Sequence, residues 1–342
     1  MVTRMRSALR RLLFGSEALP QEFTVAMRAP QTEVAVRLLG LKEALDVTNR
    51  HAMACADPLT ICVSIDENTP VRPEQLTALS LEYVSRDTPS RLLGRIRLQP
   101  SGVEHRVDGA RLILFEPRSS SNYCLSPLQL FLHYLLYFWR RRKQSGAADL
   151  HMSFLEERAA MVMFIRPHPV ALGSAQGKNR GNIFTMNIMG EAGDRHFTFA
   201  LKDSRTPAHL VEELGRVAVS NVPFSRGPLA FQLAANHTKN SVEWDQLPFS
   251  CRPSGTFGFP VPVFATRVRE LQVEKVLRIG SHTFFVGAVV NDEIRSDEAE
   301  LCVVHGFYQA WRIKRGIAEK EPSVRADAVN KRRGYAAQSA GR

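Results

Sequence analysis

The second half of the chain is a succession of short β-rich segments with turn residues between them. Runs of β-branched and aromatic residues alternate with Gly, Asn, Asp and Pro, which is the pattern expected of strands joined by turns. The predicted strands cover residues 170–174, 182–190, 197–201, 216–222, 264–276, 283–290 and 300–304. The mixed polarity of residues 264–276 predicts an exposed edge strand, whereas residues 283–290 are apolar enough to be covered on both faces.

One well-punctuated helix interrupts these strands. Thr206 can serve as its N-cap, Pro207 suits the first helical position, and Gly215 suits the position after the last turn. Many strands with few short helices predict a β-barrel with helical decoration. The chain as a whole is therefore expected to be mainly β with a few helices, an α+β fold.

The first half has a weaker pattern. Its predicted strands cover residues 34–39, 59–65, 77–83, 92–98 and 111–115, and residues 126–142 predict a helix with a basic C-terminal end. A polar break at residues 144–148 follows that helix. We expect four parts: a basic N-terminal segment (1–19), an N-terminal β-rich domain ending in a helix (20–145), a second domain (150–315) and a basic flexible tail (316–342).

The net charge of +11 is concentrated at the two ends of the 342-residue chain. Residues 1–14 carry +4 and residues 313–342 carry +5, which leaves +2 for the body. A body this balanced gives no reason to expect a phosphate-tracking surface, so nucleic acid is not a predicted partner. The longest apolar run, residues 125–139, is shorter than the ~20 residues of a membrane-spanning helix, so no integral membrane segment is predicted.

The five cysteines form no CxxC pair, and no His stands at zinc-finger spacing. No metal site is therefore predicted. Cys62 and Cys302 lie inside apolar runs and are expected to be buried thiols. Because this usage fits a reducing compartment, we expect a cytoplasmic protein.

Polar side chains gather at strand ends between residues 170 and 206. A loop of basic and hydroxyl side chains leads directly into the predicted helix, and its members are Lys202, Ser204, Arg205 and Thr206. A helix N-terminus carries free N–H groups and partial positive charge, so this loop favours a phosphate. The alternative is that Thr206 only caps the helix and that the two bases are solvated. A second polar set precedes the loop and consists of Ser174, Asn182, Thr185 and Asn187.

Four stretches, taken in order, resemble the flavin reductase-like, FMN-binding split-barrel family. They are RPHPVALGS (166–174), GNIFTMN (181–187), LKDSRTPAHL with RVAVSNVP after it (201–223) and GSHTFFVGAVV (280–290). The last stretch resembles the family's Gly-Asp-His-Thr run, with Ser281 in place of the acid. The resemblance covers about residues 160–312 and assigns nothing to residues 20–145.

The resemblance implies a small Greek-key barrel that binds FMN, or alternatively FAD, usually at a homodimer interface. NADH or NADPH would deliver hydride to the flavin. The residues implied to face the isoalloxazine edge and ribityl chain are Ser174, Asn182, Thr185 and Asn187. Those implied to hold the phosphate are Lys202, Ser204, Arg205 and Thr206. His282 would lie near the nicotinamide as the catalytic-site residue, and the alternative is a hydrogen-bonded histidine of the barrel.

The resemblance predicts an NAD(P)H-dependent flavin reductase that supplies reduced flavin to a partner monooxygenase. A non-catalytic flavin-binding accessory or sensor protein is the alternative, because the same residues would serve it. Residues 223–262 form a long, proline-punctuated stretch that could cover the flavin or block a second substrate. His237, inside this stretch, is expected to be an exposed loop histidine, with contact to the dinucleotide as the alternative.

The sequence of the first half contains a weak internal repeat of the second half. Residues 46–49 precede an apolar run that ends at Asp66, as residues 182–185 precede one that ends before Asp203. Asp66 and Glu67 then stand where the second half has Lys202 and Arg205, and two carboxylates would repel a phosphate. We therefore expect at most one FMN per chain. Two alternatives remain for the first half: a degenerate barrel that pairs with the second half as an intrachain pseudo-dimer, or an unrelated β-rich domain.

Overall fold

A computed structural model of the protein describes residues 22–27, 32–107, 109–143 and 152–317. The predicted segments 1–19 and 144–148, and all of the basic tail after residue 317, lie outside these ranges. The strands of the first half are β1 (Glu22–Met27), β2 (Val34–Leu39), β3 (Leu45–Asp46), β4 (His51–Ala56), β5 (Leu59–Asp66), β6 (Ser80–Ser85), β7 (Leu92–Val107) and β8 (Ala110–Asn122).

The second half contributes the remaining strands and most of the helices. Its strands are β9 (His168–Pro169), β10 (Ala171–Gln176), β11 (Gly181–Met186), β12 (Met189–Glu191), β13 (His196–Lys202), β14 (Arg216–Asn221), β15 (Cys251–Pro253), β16 (Pro260–Pro262), β17 (Arg267–Ile279), β18 (His282–Ile294) and β19 (Glu300–His305). The α-helices of the described chain are α1 (Pro73–Leu76), α2 (Pro127–Lys143), α3 (Phe154–Met163), α4 (Thr206–Leu214), α5 (Gly227–Leu233) and α6 (Gly306–Lys314).

Each half forms a seven-stranded antiparallel sheet, and the two sheets have the same topology. The first runs β3-β2-β6-β7-β8-β5-β4 and the second runs β11-β10-β14-β17-β18-β13-β12. Numbered by their order within each half, both read 2-1-5-6-7-4-3. A helix lies between the fourth and fifth strands of each sheet, α1 in the first and α4 in the second. The mainly β fold is confirmed, and the first half is barrel-like as well.

The two halves are joined by shared hydrophobic cores. One core packs α3 and α6 against the first sheet through residues such as Val162, Phe307 and Tyr308. A second core lies between the two sheets and contains Leu114 of β8 and Phe284 of β18. A small third sheet, ordered β1-β19-β9, pairs the start of the described chain with its last strand. The two halves therefore pack against each other through shared cores and are not separate domains joined by a linker.

Two sequence predictions about strands in the second half are wrong. Residues 182–190 form two strands, β11 and β12, which lie at opposite edges of the sheet because Asn187 and Ile188 carry the chain across. Residues 264–276 were expected at an edge, but β17 lies between β14 and β18. Its polar alternation arises because one face of this interior strand is open to solvent, as Gln272 and Glu274 show.

The N-cap of helix α4 lies one residue before the position that the sequence predicts. Arg205, with extended backbone, occupies the N-cap position, so Thr206 is the first helical residue rather than the cap. Gly215 ends the helix in the left-handed conformation with φ of 63°, as predicted. The sequence pattern missed the short helices α3 and α6, and it missed β4, whose six residues are all buried.

The predicted burial of Cys62 and Cys302 is confirmed, and burial raises the pKa of the Cys62 thiol to about 12. In the part of the chain that the structure describes, no cluster of three or more His, Cys, Asp or Glu side chains is placed to hold a metal ion. None of the described helices combines the length and the apolar character needed to cross a membrane.

Candidate functional site

The basic loop predicted from sequence lies at the end of the fourth strand of the second sheet. Lys202 is the last residue of β13 and lies directly across from His282, the first residue of β18. The Asp203 N–H donates to the carbonyl of Ser281 at 3.0 Å, which ties the loop to the β17–β18 turn. Lys202 thus lies beside His282, and Ser204, Arg205 and Thr206 continue the chain from there into the start of α4.

Asp203 holds the base of this loop in place. Its carboxylate accepts from the Arg278 guanidinium at 2.9 Å and from the Thr283 hydroxyl. Arg278 also pairs with Glu212 of α4. Strand β17, strand β18 and helix α4 are therefore joined below the loop, and this leaves the first turn of the helix in a defined position.

His282 is a buried, neutral imidazole at the inner end of the loop. Its side chain is only 5% exposed, and Nδ1 lies 2.9 Å from Ser281 Oγ and 3.6 Å from the Cys55 thiol. Burial, and secondarily the Lys202 ammonium, lower the pKa of His282 below its ordinary value. At neutral pH the ring can therefore donate or accept a hydrogen bond without carrying charge.

The first half forms one wall beside this loop. The Ser281 N–H donates to the Asp57 carbonyl at 2.8 Å, so the β4–β5 turn docks on the β17–β18 turn. The contact is close at Gly280, which has φ of +51°: a Cβ there would lie 2.4 Å from the Asp57 carbonyl oxygen. Sequence analysis did not find Cys55 or Asp57, because nothing local marks a residue that acts through a contact 227 positions away.

The second predicted polar set lies on β10, β11 and the segment after them. Ser174 is fully buried, and its hydroxyl has no hydrogen-bond partner in the described structure. The Asn182 amide donates to the carbonyls of Asn236 and Lys239 at 3.0 and 2.9 Å, while its Oδ1 has no partner there. Asn187 is half-buried between β11 and β12. Helix α4 packs on both β10 and β11 and so connects this set to the basic loop.

Residues 223–262 cover the outer side of β11. Helix α5 and the following 3-10 segment (Ala234–Thr238) pack on that strand, and the Thr185 hydroxyl donates to the Ala230 carbonyl. His237 is not the exposed loop histidine expected from sequence. Its Nε2 lies 2.7 Å from the Thr185 carbonyl, and burial lowers its pKa. The stretch is thus tied to two of the predicted site residues.

A polar cavity of about 490 Å³ lies between the two halves, and both halves contribute residues to its lining. Its wall includes Asn49, which precedes β4 by two residues just as Asn187 precedes β12. Arg269, which is buried there, shares the Asp292 carboxylate with Arg267. None of the nine predicted site residues lines this cavity. Sequence reasoning missed it because its lining residues come from both halves, from Asp46 to Asp292.

Comparison with known families identifies this region. Residues 163–312 match the family model described as a flavin reductase-like domain, which is 150 of the 342 residues. This part of the chain is a flavin reductase-like domain. No curated protein matches the sequence.

Several solved structures resemble part of the chain. An FMN-binding protein from Thermus thermophilus with bound 1-cyclohex-2-enone is 25% identical, with a TM-score of 0.34, and covers 37% of this chain and 71% of its own. An NADH:FAD oxidoreductase from Streptomyces globisporus is 16% identical, with a TM-score of 0.39. The match covers 44% of this chain and 89% of that one. The flavin reductase component of a bacterial two-component tryptophan halogenase is 16% identical, with a TM-score of 0.39. The match covers 44% of this chain and 92% of that one.

The residues present fit a phosphate-bearing flavin on two observations. No side chain caps the first turn of α4, which begins beside Lys202 and Arg205. Ser174 Oγ and Asn182 Oδ1 are buried polar atoms without partners, which is unusual unless a ligand or water satisfies them. Both features lie at positions that the flavin reductase resemblance assigns to the cofactor.

Proposed function

We propose that the flavin reductase-like domain binds FMN and acts as an NAD(P)H-dependent flavin reductase. The observation that carries the proposal is the basic loop at the uncapped start of α4, placed directly across from the neutral His282. A bound flavin supplies the hydride-accepting ring, so the protein itself needs no acid or base for that transfer. This agrees with a site that is built from hydrogen-bond donors and positive charge.

In this proposal, the phosphate is held by Lys202, Ser204, Arg205 and Thr206, and the ring edge and ribityl chain by Ser174, Asn182, Thr185 and Asn187. The stretch 223–262 keeps Asn182 and Thr185 in place through its carbonyl groups. His282 lies near the nicotinamide and offers an uncharged ring to it. FAD is the alternative flavin, and a monooxygenase that consumes reduced flavin is the proposed partner.

We further propose that the first half takes the place of a second subunit. Its sheet repeats the topology of the second sheet, and its β4–β5 turn contacts the β17–β18 turn beside His282. One chain would then hold one flavin between its own halves. Sedimentation velocity together with flavin titration tests this: we expect one FMN per chain in a monomer, and two per chain would contradict it.

The visible spectrum of the purified protein is the first test of the proposed function. Flavin absorption bands that persist through gel filtration are expected. NADH and NADPH oxidation is then measured with added FMN and with added FAD. Flavin bands without turnover by either nucleotide would favour the accessory or sensor function, and no binding of either flavin would contradict both.

A further inference from the structure

Helix α2 exposes a row of large apolar side chains. Leu128, Phe131, Leu135 and Trp139 follow one another at spacings of three, four and four residues, which places them on a single stripe of the helix. Leu128 is 66% exposed, Phe131 is 61% exposed and Trp139 is 55% exposed. The stripe is about 16 Å long at 1.5 Å per residue. It is the largest run of exposed apolar side chains on any described helix.

The stripe is not the face by which α2 packs on the protein. Leu130, Tyr134 and Tyr137, on the other side of the helix, pack against the core shared by the two halves. Helix α6, which follows the last strand of the second half as α2 follows the last strand of the first, shows the usual arrangement. There Phe307, Tyr308 and Trp311 are all buried. Among the residues that the structure describes, helix α2 therefore has a second apolar face that is not packed against the rest of the fold.

The sequence that contains the stripe is basic. Residues 117–148 contain five basic residues and no Asp or Glu, and four of the basic residues, Arg140 to Lys143, end the helix directly after Trp139. An apolar stripe with Trp and Phe, continued by a basic cluster, is the composition of helices that lie in the interface of anionic bilayers.

We propose that the α2 stripe docks the protein on the surface of a membrane that contains anionic lipids. The apolar side chains would enter the boundary between headgroups and acyl chains, and the basic end would meet lipid phosphates. A second copy of the chain suits the stripe less well. A twofold interface would place the same acid-free, basic patch against itself, and the first turn of α2 contains no acidic residue to meet the partner's basic end.

The test uses the full chain in flotation with vesicles of phosphatidylcholine alone and of phosphatidylcholine mixed with phosphatidylglycerol. We expect binding to the mixed vesicles that weakens with added salt. The triple variant Leu128→Ser, Phe131→Ser, Leu135→Ser should lose at least about tenfold in affinity, because three apolar contacts are removed. The matched control Val263→Ser, Ile294→Ser removes exposed apolar side chains elsewhere and should bind like the parent.

A second variant tests the charge separately. Replacing Arg140, Arg141, Arg142 and Lys143 by Gln should lower affinity for the mixed vesicles by about tenfold or more and remove most of the salt dependence. Failure of the parent to float with either vesicle overturns the proposal. So does parent-like binding by the triple Ser variant. A dimer in sedimentation velocity that the triple Ser variant dissociates would assign the stripe to a second copy instead.

Discussion

The two seven-stranded sheets share one topology, yet the loops at the ends of their fourth strands carry opposite charge. Strand β13 ends in Lys202 and leads into a basic loop and a nine-residue helix, whereas β5 ends in Asp66 and leads to a helix of four residues. Asp66 is itself paired with Arg50. The strand order is maintained by buried apolar residues, so the loops are free to differ in charge and length.

The turns between the sixth and seventh strands differ in a second way. Gly280, between β17 and β18, presses against the Asp57 carbonyl of the first half. Gly109, between β7 and β8, also has positive φ, at +72°, but a Cβ there would meet nothing within 4 Å. One turn is therefore an internal contact between halves, and its counterpart is a surface turn.

Replacing these two glycines by Ala distinguishes the cost of a strained backbone from the cost of disturbing the contact between the halves. We expect the largest change in the free energy of unfolding from this pair of variants. Gly280→Ala should lower the free energy of unfolding by about 2–5 kcal/mol, from the left-handed backbone together with overpacking on Asp57. Gly109→Ala should cost about 1–2 kcal/mol, from the backbone alone. Urea denaturation of both variants measures the difference, and equal losses would show that the turn at Gly280 yields without disturbing the first half.

The charge difference between the fourth-strand loops predicts where FMN binds. Lys202→Ala with Arg205→Ala should weaken FMN by about 30- to 1000-fold, because charge-assisted contacts to phosphate contribute about 2–4 kcal/mol. Riboflavin, which lacks the phosphate, should bind the variant and the parent alike. Fluorescence titration with both ligands measures this.

The matched control is Asp66→Ala with Glu67→Ala in the first half, which should leave FMN affinity unchanged. The cavity between the halves offers a competing location. If FMN binding survives loss of Lys202 and Arg205 but fails in Arg269→Gln, the flavin site belongs to that cavity rather than to the α4 loop.

The basic loop could be predicted from sequence because its residues are contiguous. The strand at residues 34–39 and the helix ending at Gly215 were likewise predictable, since their signals are local. The order of the strands was not, because β1 pairs with a strand near residue 300 and β11 and β12 separate to opposite edges. The contact of Cys55 with His282 has the same cause: two distant segments meet only after both sheets have packed.

A smaller effect on the free energy of unfolding comes from two histidines of the second half that are buried near the first half. Burial lowers the pKa of His168 to about 3 and that of His305 to about 3. The unfolded chain binds these protons near pH 6.5 while the folded chain does not, so the stability of the fold decreases as pH falls below that value. Each histidine should lower the free energy of unfolding by about 2 kcal/mol between pH 7 and pH 5.

His305→Asn tests this while keeping the cap of α6, because the His305 ring accepts from the Phe307 N–H and Asn is an equally good N-cap. The loss of unfolding free energy between pH 7 and pH 5 should be about 2 kcal/mol smaller in the variant than in the parent. Urea denaturation at the two pH values measures it. The exposed His209, replaced by Asn, serves as the control. Identical pH dependence in parent and His305→Asn would contradict the assignment.

The smallest expected effect comes from removing what lies outside both halves. Residues 318–342 are polar, contain Pro322 and Gly334, and lack a sustained apolar period, so their sequence offers little surface to bury. Helix α6, which ends before this segment, is already held to the first half, since Arg312 donates to both oxygens of Glu33 at 2.8 Å. Deleting residues 318–342 should therefore change FMN affinity by less than about twofold and leave NAD(P)H oxidation unchanged, because both sheets and both fourth-strand loops remain. A truncated protein that stays folded by circular dichroism but no longer binds FMN would show that the tail completes the site.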